Sequence, residues 1–184
     1  MTASGCRVQE LAMMTLTTNP ERTAGTLGSP DQLVYAVVGF DGSASSLHAL
    51  DMAARLLNDR PGGMEIVYVA HLSAMAVAAD LNGEASAAVA QSFDDVTRTL
   101  SEEVRARLQA YHLRGAAGHW HFQRRGGVIA DQLIAVADEL SRQHGPDAAV
   151  GLVVGRSERG YHHVLGSVPS ALERQVHYPV IVIP

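Results

Sequence analysis

The run Leu33-Val34-Tyr35-Ala36-Val37-Val38-Gly39, followed closely by Asp41-Gly42-Ser43, decides the fold of this chain. A short apolar block rich in β-branched residues and closed by glycine suits a strand covered on both faces, since a strand with one wet face would alternate. Asp-Gly-Ser supplies a turn. Leu47, Leu50, Ala54 and Leu57 then recur at spacings of three and four up to Asn58, which marks one face of an amphipathic helix. Beyond Pro61-Gly62-Gly63, Ile66-Val67-Tyr68-Val69 repeats the buried-strand pattern. Strand, helix, strand implies a crossover, and a crossover pairs its strands parallel.

Working outward, the pattern continues downstream. Ser73 to Arg114 is long and Ala-rich, interrupted at Asn82-Gly83, and Phe93, Val96, Leu100, Val104 and Leu108 mark a second helix. Asp94 and Asp95 stand before Arg105 and Arg107, the order a helix dipole favours. Trp120 and Phe122 alternate with His119, His121 and Gln123 ahead of Arg124-Arg125-Gly126-Gly127, which reads as a third strand with one wetter face. Val128 to His144 is helical by the spacing of Ile129, Leu133, Val136, Ala137 and Leu140, and stops before Gly145-Pro146. Ala149 to Val154 is a further buried strand, Gly155 to Ser167 a polar loop, Val168 to Val176 a short helix and Val180 to Ile183 a final strand. Five strands alternating with four helices imply an α/β fold: an open, mostly parallel sheet with helices on both faces. The domain spans residues 31–184. Upstream, residues 1–30 mix Thr, Ser, Gly and Pro without a period and read as a disordered tail.

The 184 residues are 47% apolar and 18% charged, a globular balance sufficient for one core. Fourteen basic against nineteen acidic residues leave a net charge of −5, which disfavours nucleic acid as a partner. All the basic residues are arginine, so chemistry that needs lysine, such as a Schiff base or a Walker-type phosphate contact, is absent. Cys6 has no second cysteine to pair with, which fits a reducing cytoplasm. No apolar run is long enough to span a bilayer, and the amino-terminal stretch has no secretory pattern, so neither membrane insertion nor export is expected.

In a doubly wound sheet, ligands sit outside the carboxyl ends of the strands where the strand order reverses. Two loops therefore matter. Asp41, after the first strand, has two readings: an acceptor for the amino group of a base, or the closing residue of an Asx-turn that caps the next helix. Gly166-Ser167, before the short helix, reads either as an ordinary turn with a capping serine or as a set of backbone donors for an anion.

The opening strand with Asp41-Gly42-Ser43, then Ser46 and Ala49-Leu50, resembles the start of the universal stress protein family. Ile129 to Leu140 is similar to the family's third helix, and Val153-Val154-Gly155, Gly166-Ser167-Val168 and Pro179 to Ile183 to its closing block. The resemblance runs from about Leu33 to Pro184. It implies a sheet ordered 3-2-1-4-5, a homodimer joined through the C-terminal strand and, in one branch, ATP, with Mg²⁺ as a possible companion, held between the first and fourth strands. Carried over, Asp41 would bond adenine and Val69 would meet the base through its backbone. Gly155, Gly166, Ser167 and Val168 would hold ribose and phosphates. Arg156 and Gly160 are further candidates in the same loop.

The loop departs from the ATP-binding pattern of Gly, two residues, Gly, nine residues, Gly-Ser. Ten residues rather than twelve separate Gly155 from Gly166, and Glu158 stands where the second glycine belongs. A carboxylate within about 4 Å of a phosphate costs on the order of 1 kcal/mol even in a watery dielectric. Against that, Arg156 and Arg159 offer Glu158 a partner, and Gly160 a displaced second glycine. The expectation is therefore an ATP-binding, homodimeric stress sensor, with a nucleotide-free interaction module of the same fold as the alternative. Catalysis is not expected beyond slow ATP hydrolysis, because neither Ser43 nor Ser167 sits in a nucleophile elbow. His119 and His121, two apart in the third strand, offer two metal ligands without a nearby cysteine or carboxylate to complete a set, so no metal is expected. The apolar run Val180 to Ile183, if it lies at a sheet edge, is a pairing surface that monomers avoid.

Overall fold

The computed structural model describes residues 31–70, 84–111, 113–156, 168–175 and 177–184. The tail at 1–30, the Asn82-Gly83 interruption and most of the loop before the last helix lie outside these residues. Along the chain run β1 (Val34–Gly39), α1 (Ala44–Leu57), β2 (Gly62–Ala70), α2 (Glu84–Gln109), α3 (Gly115–Gly118), β3 (Trp120–Gly126), α4 (Ile129–His144), β4 (Ala149–Gly155), α5 (Val168–Gln175) and β5 (Val180–Ile183). The strands form one sheet in the order β3-β2-β1-β4-β5, and all four pairings are parallel.

The apolar block that opens the domain lies at the centre of this sheet. Val38 pairs with Ile66 on one side and Val153 on the other, and neighbouring residues point to opposite faces. Val38, Ile66 and Val153 pack with Leu50 of α1 and with Val104 and Leu108 of α2. Val37, Val67 and Leu152 pack with Leu133 and Val136 of α4 and with Leu172 of α5. Burying one such Leu or Val side chain contributes about 1.5–3 kcal/mol, so both layers are held by the same term. Helices α1 and α2 thus cover one face and α4 and α5 the other. The chain winds outward from β1 through β2 to β3, crosses back beyond β1 to β4, and ends at β5. That reversal leaves the carboxyl ends of β1 and β4 side by side without a crossover between them.

Three local features differ from the sequence reading. Asp94 and Asp95 stand ten or more residues into α2, past the first turn where a dipole acts. They instead form ion pairs, Asp94 with Arg124 of β3 at 2.6 Å and Asp95 with Arg98 at 2.7 Å. The one-turn α3 is too short to leave a period, and Gly115 opens it at φ +56° against the backbone of Arg60, where a side chain would not fit. His119 precedes β3 rather than lying in it. His121 is not isolated from carboxylates either: its Nδ1 lies 3.1 Å from Glu65 Oε2 across the β2–β3 pair. Gln123 also donates to Glu65, at 2.7 Å, and Arg125 reaches Glu139 of α4 at 2.6 Å. These polar groups line the outer strand β3, an arrangement that discourages pairing along that edge.

Candidate functional site

At the carboxyl end of β1 the chain must turn within three residues and start a helix. Gly42 makes the turn at φ +79°, a conformation that glycine adopts without steric cost. Asp41 closes it, its Oδ1 accepting from the Ser43 N–H at 3.0 Å. The cap of α1 is Ser43, whose Oγ accepts from the Ser46 N–H at 3.2 Å. The two roles read together in Asp41 are therefore split: Asp41 shapes the turn and Ser43 caps the helix. The arrangement leaves the side chain of Asp41 exposed at the rim of the sheet.

Val69 occupies the matching level on β2. The β1–β2 ladder ends at Gly39–Val67, whereas β2 runs on beside β3 to Ala70–Gly126. Val69 consequently stands past the end of β1, its backbone edge on that side outside the ladder and next to the Asp41 turn. Its side chain is buried against the α4 layer, so only its main chain faces this rim.

On the other side of β1, β4 ends in Gly155. A Cβ there would stand 2.5 Å from the carbonyl carbon and oxygen of Ser45 and 2.8 Å from the Ser46 nitrogen. The absence of a side chain lets the first turn of α1 rest on the end of β4, so Gly155 answers a close approach of backbone to backbone. Arg156 follows with its side chain exposed, and its N–H donates to the Ile183 carbonyl at 2.7 Å, joining the start of the loop to the last residue of β5. Val168 opens α5 and packs against the α4 layer.

The structure thus brings Asp41, Val69, Gly155 and Arg156 to one rim, around the reversal point of the sheet. Val168 begins the helix that returns to β5. Gly160, Gly166 and Ser167, together with Glu158, lie outside the described residues. Chemically, the rim offers a carboxylate, an unladdered strand edge and one arginine, a set suited to a ligand with an amino-bearing ring and negative charge. Among the described residues no group of three His, Cys, Asp or Glu side chains is placed to hold a metal ion, and no helix is long and apolar enough to cross a membrane.

The sequence reading missed a second polar site. Asp51 of α1 is only 7% exposed, and Arg107 grips it with both forks, Nε to Oδ1 at 2.9 Å and Nη2 to Oδ2 at 2.5 Å. Hydrogen bonding from Arg107 holds the Asp51 carboxyl below its ordinary range, against the opposing effect of burial, and the pairing raises the Arg107 guanidinium in turn. The signal was present: Asp51 stands four residues after Leu47 and three before Ala54, within the apolar face of α1.

The family model described as the universal stress protein family matches residues 36–184. Among solved structures, a universal stress protein in complex with cAMP is 24% identical, with a TM-score of 0.56 over 85% of this chain and 99% of that one. The universal stress protein UspA from Lactobacillus plantarum is 19% identical, with a TM-score of 0.53 over 83% of this chain and 99% of that one. A family protein from Burkholderia pseudomallei is 23% identical, with a TM-score of 0.53 over 82% of this chain and 95% of that one. Likeness at these identities establishes the fold alone. No curated protein matches the sequence.

Proposed function

The chain belongs to the universal stress protein family, and from that premise we propose that it binds an adenine nucleotide at the rim between β1 and β4. The observation that carries this reading is the meeting of the Asp41 turn and the unladdered edge of Val69 on one side of the reversal with Gly155 and Arg156 on the other. In the proposed complex Asp41 accepts from the exocyclic amine and the Val69 backbone meets the ring. The loop that begins at Arg156 and ends at the start of α5 takes ribose and phosphates, with ATP, accompanied by Mg²⁺, as the preferred ligand. The related structure containing cAMP supports the class of ligand.

The protein then acts in the cytoplasm through conformation rather than turnover, as a stress-responsive sensor. It works as a homodimer: β5 is a sheet edge, and Ile181 and Val182 in it are each 39% exposed, whereas the opposite edge is guarded by charged and polar side chains. Glu158 and the shortened loop favour a second reading, a nucleotide-free pairing module. Mass spectrometry of small molecules released by denaturing gently purified protein separates the two. Released adenine nucleotide supports the first reading; protein that emerges empty and also shows no saturable binding at equilibrium with millimolar ATP and Mg²⁺ overturns it.

A further inference from the structure

On the outer side of α1, the last turn of α2 and the end of β5 border an open cleft of about 500 Å³. Its polar lining is His48, Asp51, Arg55 and Arg107, and its apolar lining Met52, Ile183 and Pro184. Arg55 lies twelve residues beyond Ser43, roughly 18 Å along the helix axis, so this end of the cleft is remote from the Asp41 turn, whereas Ile183 at the other end adjoins the proposed nucleotide rim through its carbonyl, which accepts from the Arg156 N–H.

The charges in this cleft are oriented before any ligand arrives. Arg107 is held by two hydrogen bonds to a buried carboxylate, yet its side chain remains 43% exposed, so the guanidinium is fixed in place and still faces solvent. Arg55 is steered from another direction: its guanidinium carbon lies 6.0 Å from the centroid of the Tyr111 ring, at cation–π range. Asp51 is the carboxylate within the lining, and Arg107 already neutralises it. Among the lining side chains that leaves Arg55 as surplus positive charge, with exposed His48 about two turns away on the same helix. Pre-oriented guanidinium groups lose little entropy when they bind an oxyanion, and their planar forks match its geometry.

We propose that this cleft binds a small organic oxyanion, with the charged head on Arg55, Arg107 and His48 and a short apolar chain against Met52 and Ile183. The head is a carboxylate or a phosphate, both of which fit the guanidinium forks; the apolar part of the lining separates a tailed ligand from a bare ion.

The test is titration of the full-length protein with hexanoate and, separately, with inorganic phosphate, followed by amide chemical shifts. Saturable hexanoate shifts centred on residues 48–55, the last turn of α2 and residues 181–184 are expected, with the Arg156 amide following through its hydrogen bond to Ile183, and phosphate giving the same pattern at weaker affinity. In Arg55→Gln, which leaves the Asp51–Arg107 pair intact, the hexanoate dissociation constant should rise about tenfold, the loss of one charge-assisted hydrogen bond. His48→Gln should weaken binding in the same direction and provides an independent reading on an exposed side chain. The proposal is overturned if neither probe produces saturable shifts in the millimolar range, if the shifts fall instead around Asp41 and Gly155, or if both variants bind as the parent does.

Discussion

Gly155, the last residue of β4, lies directly against Ser45 in the first turn of α1: a methyl group on it would sit 2.5 Å from the Ser45 carbonyl. The contact ties the two elements that flank the reversal of the sheet. Gly155→Ala forces backbone against backbone, with no flexible side-chain tip to yield, and is expected to destabilise the fold by about 1–3 kcal/mol, in the range of an overpacked core. Urea unfolding measures this. An unchanged midpoint would mean that α1 can shift without cost and that the rim is not fixed by this contact.

Ile181→Lys places a charge on the exposed edge of β5, a device by which natural sheets prevent edge pairing. The partly exposed side chain makes the cost to the folded protomer small, about 1 kcal/mol or less. Light scattering coupled to size exclusion should show the proposed β5 homodimer in the parent and monomer in the variant, with the circular dichroism retained. A variant that remains dimeric would move the interface to another surface.

The Asp51–Arg107 ion pair between α1 and α2 contributes to the pH dependence of stability. A carboxyl whose folded-state pKa is depressed contributes stability that is fully present above its unfolded value, near 3.8 for Asp51. That contribution is lost as the pH falls from there through the lower folded value. Asp51→Asn should therefore be destabilised at pH 7, by about 1–3 kcal/mol given that Arg107 is partly solvated, and the difference from the parent should shrink below pH 4. Denaturant melts at pH 7, 5 and 3 measure it; a gap independent of pH would assign the effect to packing.

The layers of the fold were legible because burial of whole strands leaves apolar blocks. Leu33 to Val38 and Ala149 to Val154 carry that signature without ambiguity, and the turn chemistry of Asp41-Gly42-Ser43 fixed where α1 begins. What could not be read was long-range side-chain pairing. Nothing in the spacing of Glu65 and His121 announces that the β2–β3 register sets them opposite each other. Likewise, Asp51 and Arg107 stand 56 positions apart on different helices and meet only when both pack on one face of the sheet. Of the candidate site, the loops that hold Asp41, Gly155 and Arg156 were legible from the order of strands and turns, which are local features, whereas Val69 entered only through the family resemblance. The division of labour between Asp41 and Ser43 depended on hydrogen-bond geometry, which composition does not encode.

Asp41→Ala removes the turn-closing acceptor while leaving the Ser43 cap in place, so α1 should persist and stability should fall by only about 0.5–1.5 kcal/mol. Nucleotide affinity should fall about tenfold or more, because a charge-assisted hydrogen bond to the base is lost. Thermal melts alongside binding measurements separate these effects. A variant that is folded and binds ATP as tightly as the parent would remove Asp41 from the site.

Isothermal titration of the intact protein with ATP and Mg²⁺ addresses the central proposal most directly. The account predicts one saturable site per protomer, with micromolar to submillimolar affinity. Absence of heat at millimolar ATP, with no nucleotide carried through purification, would contradict it and leave a pairing scaffold with an empty rim.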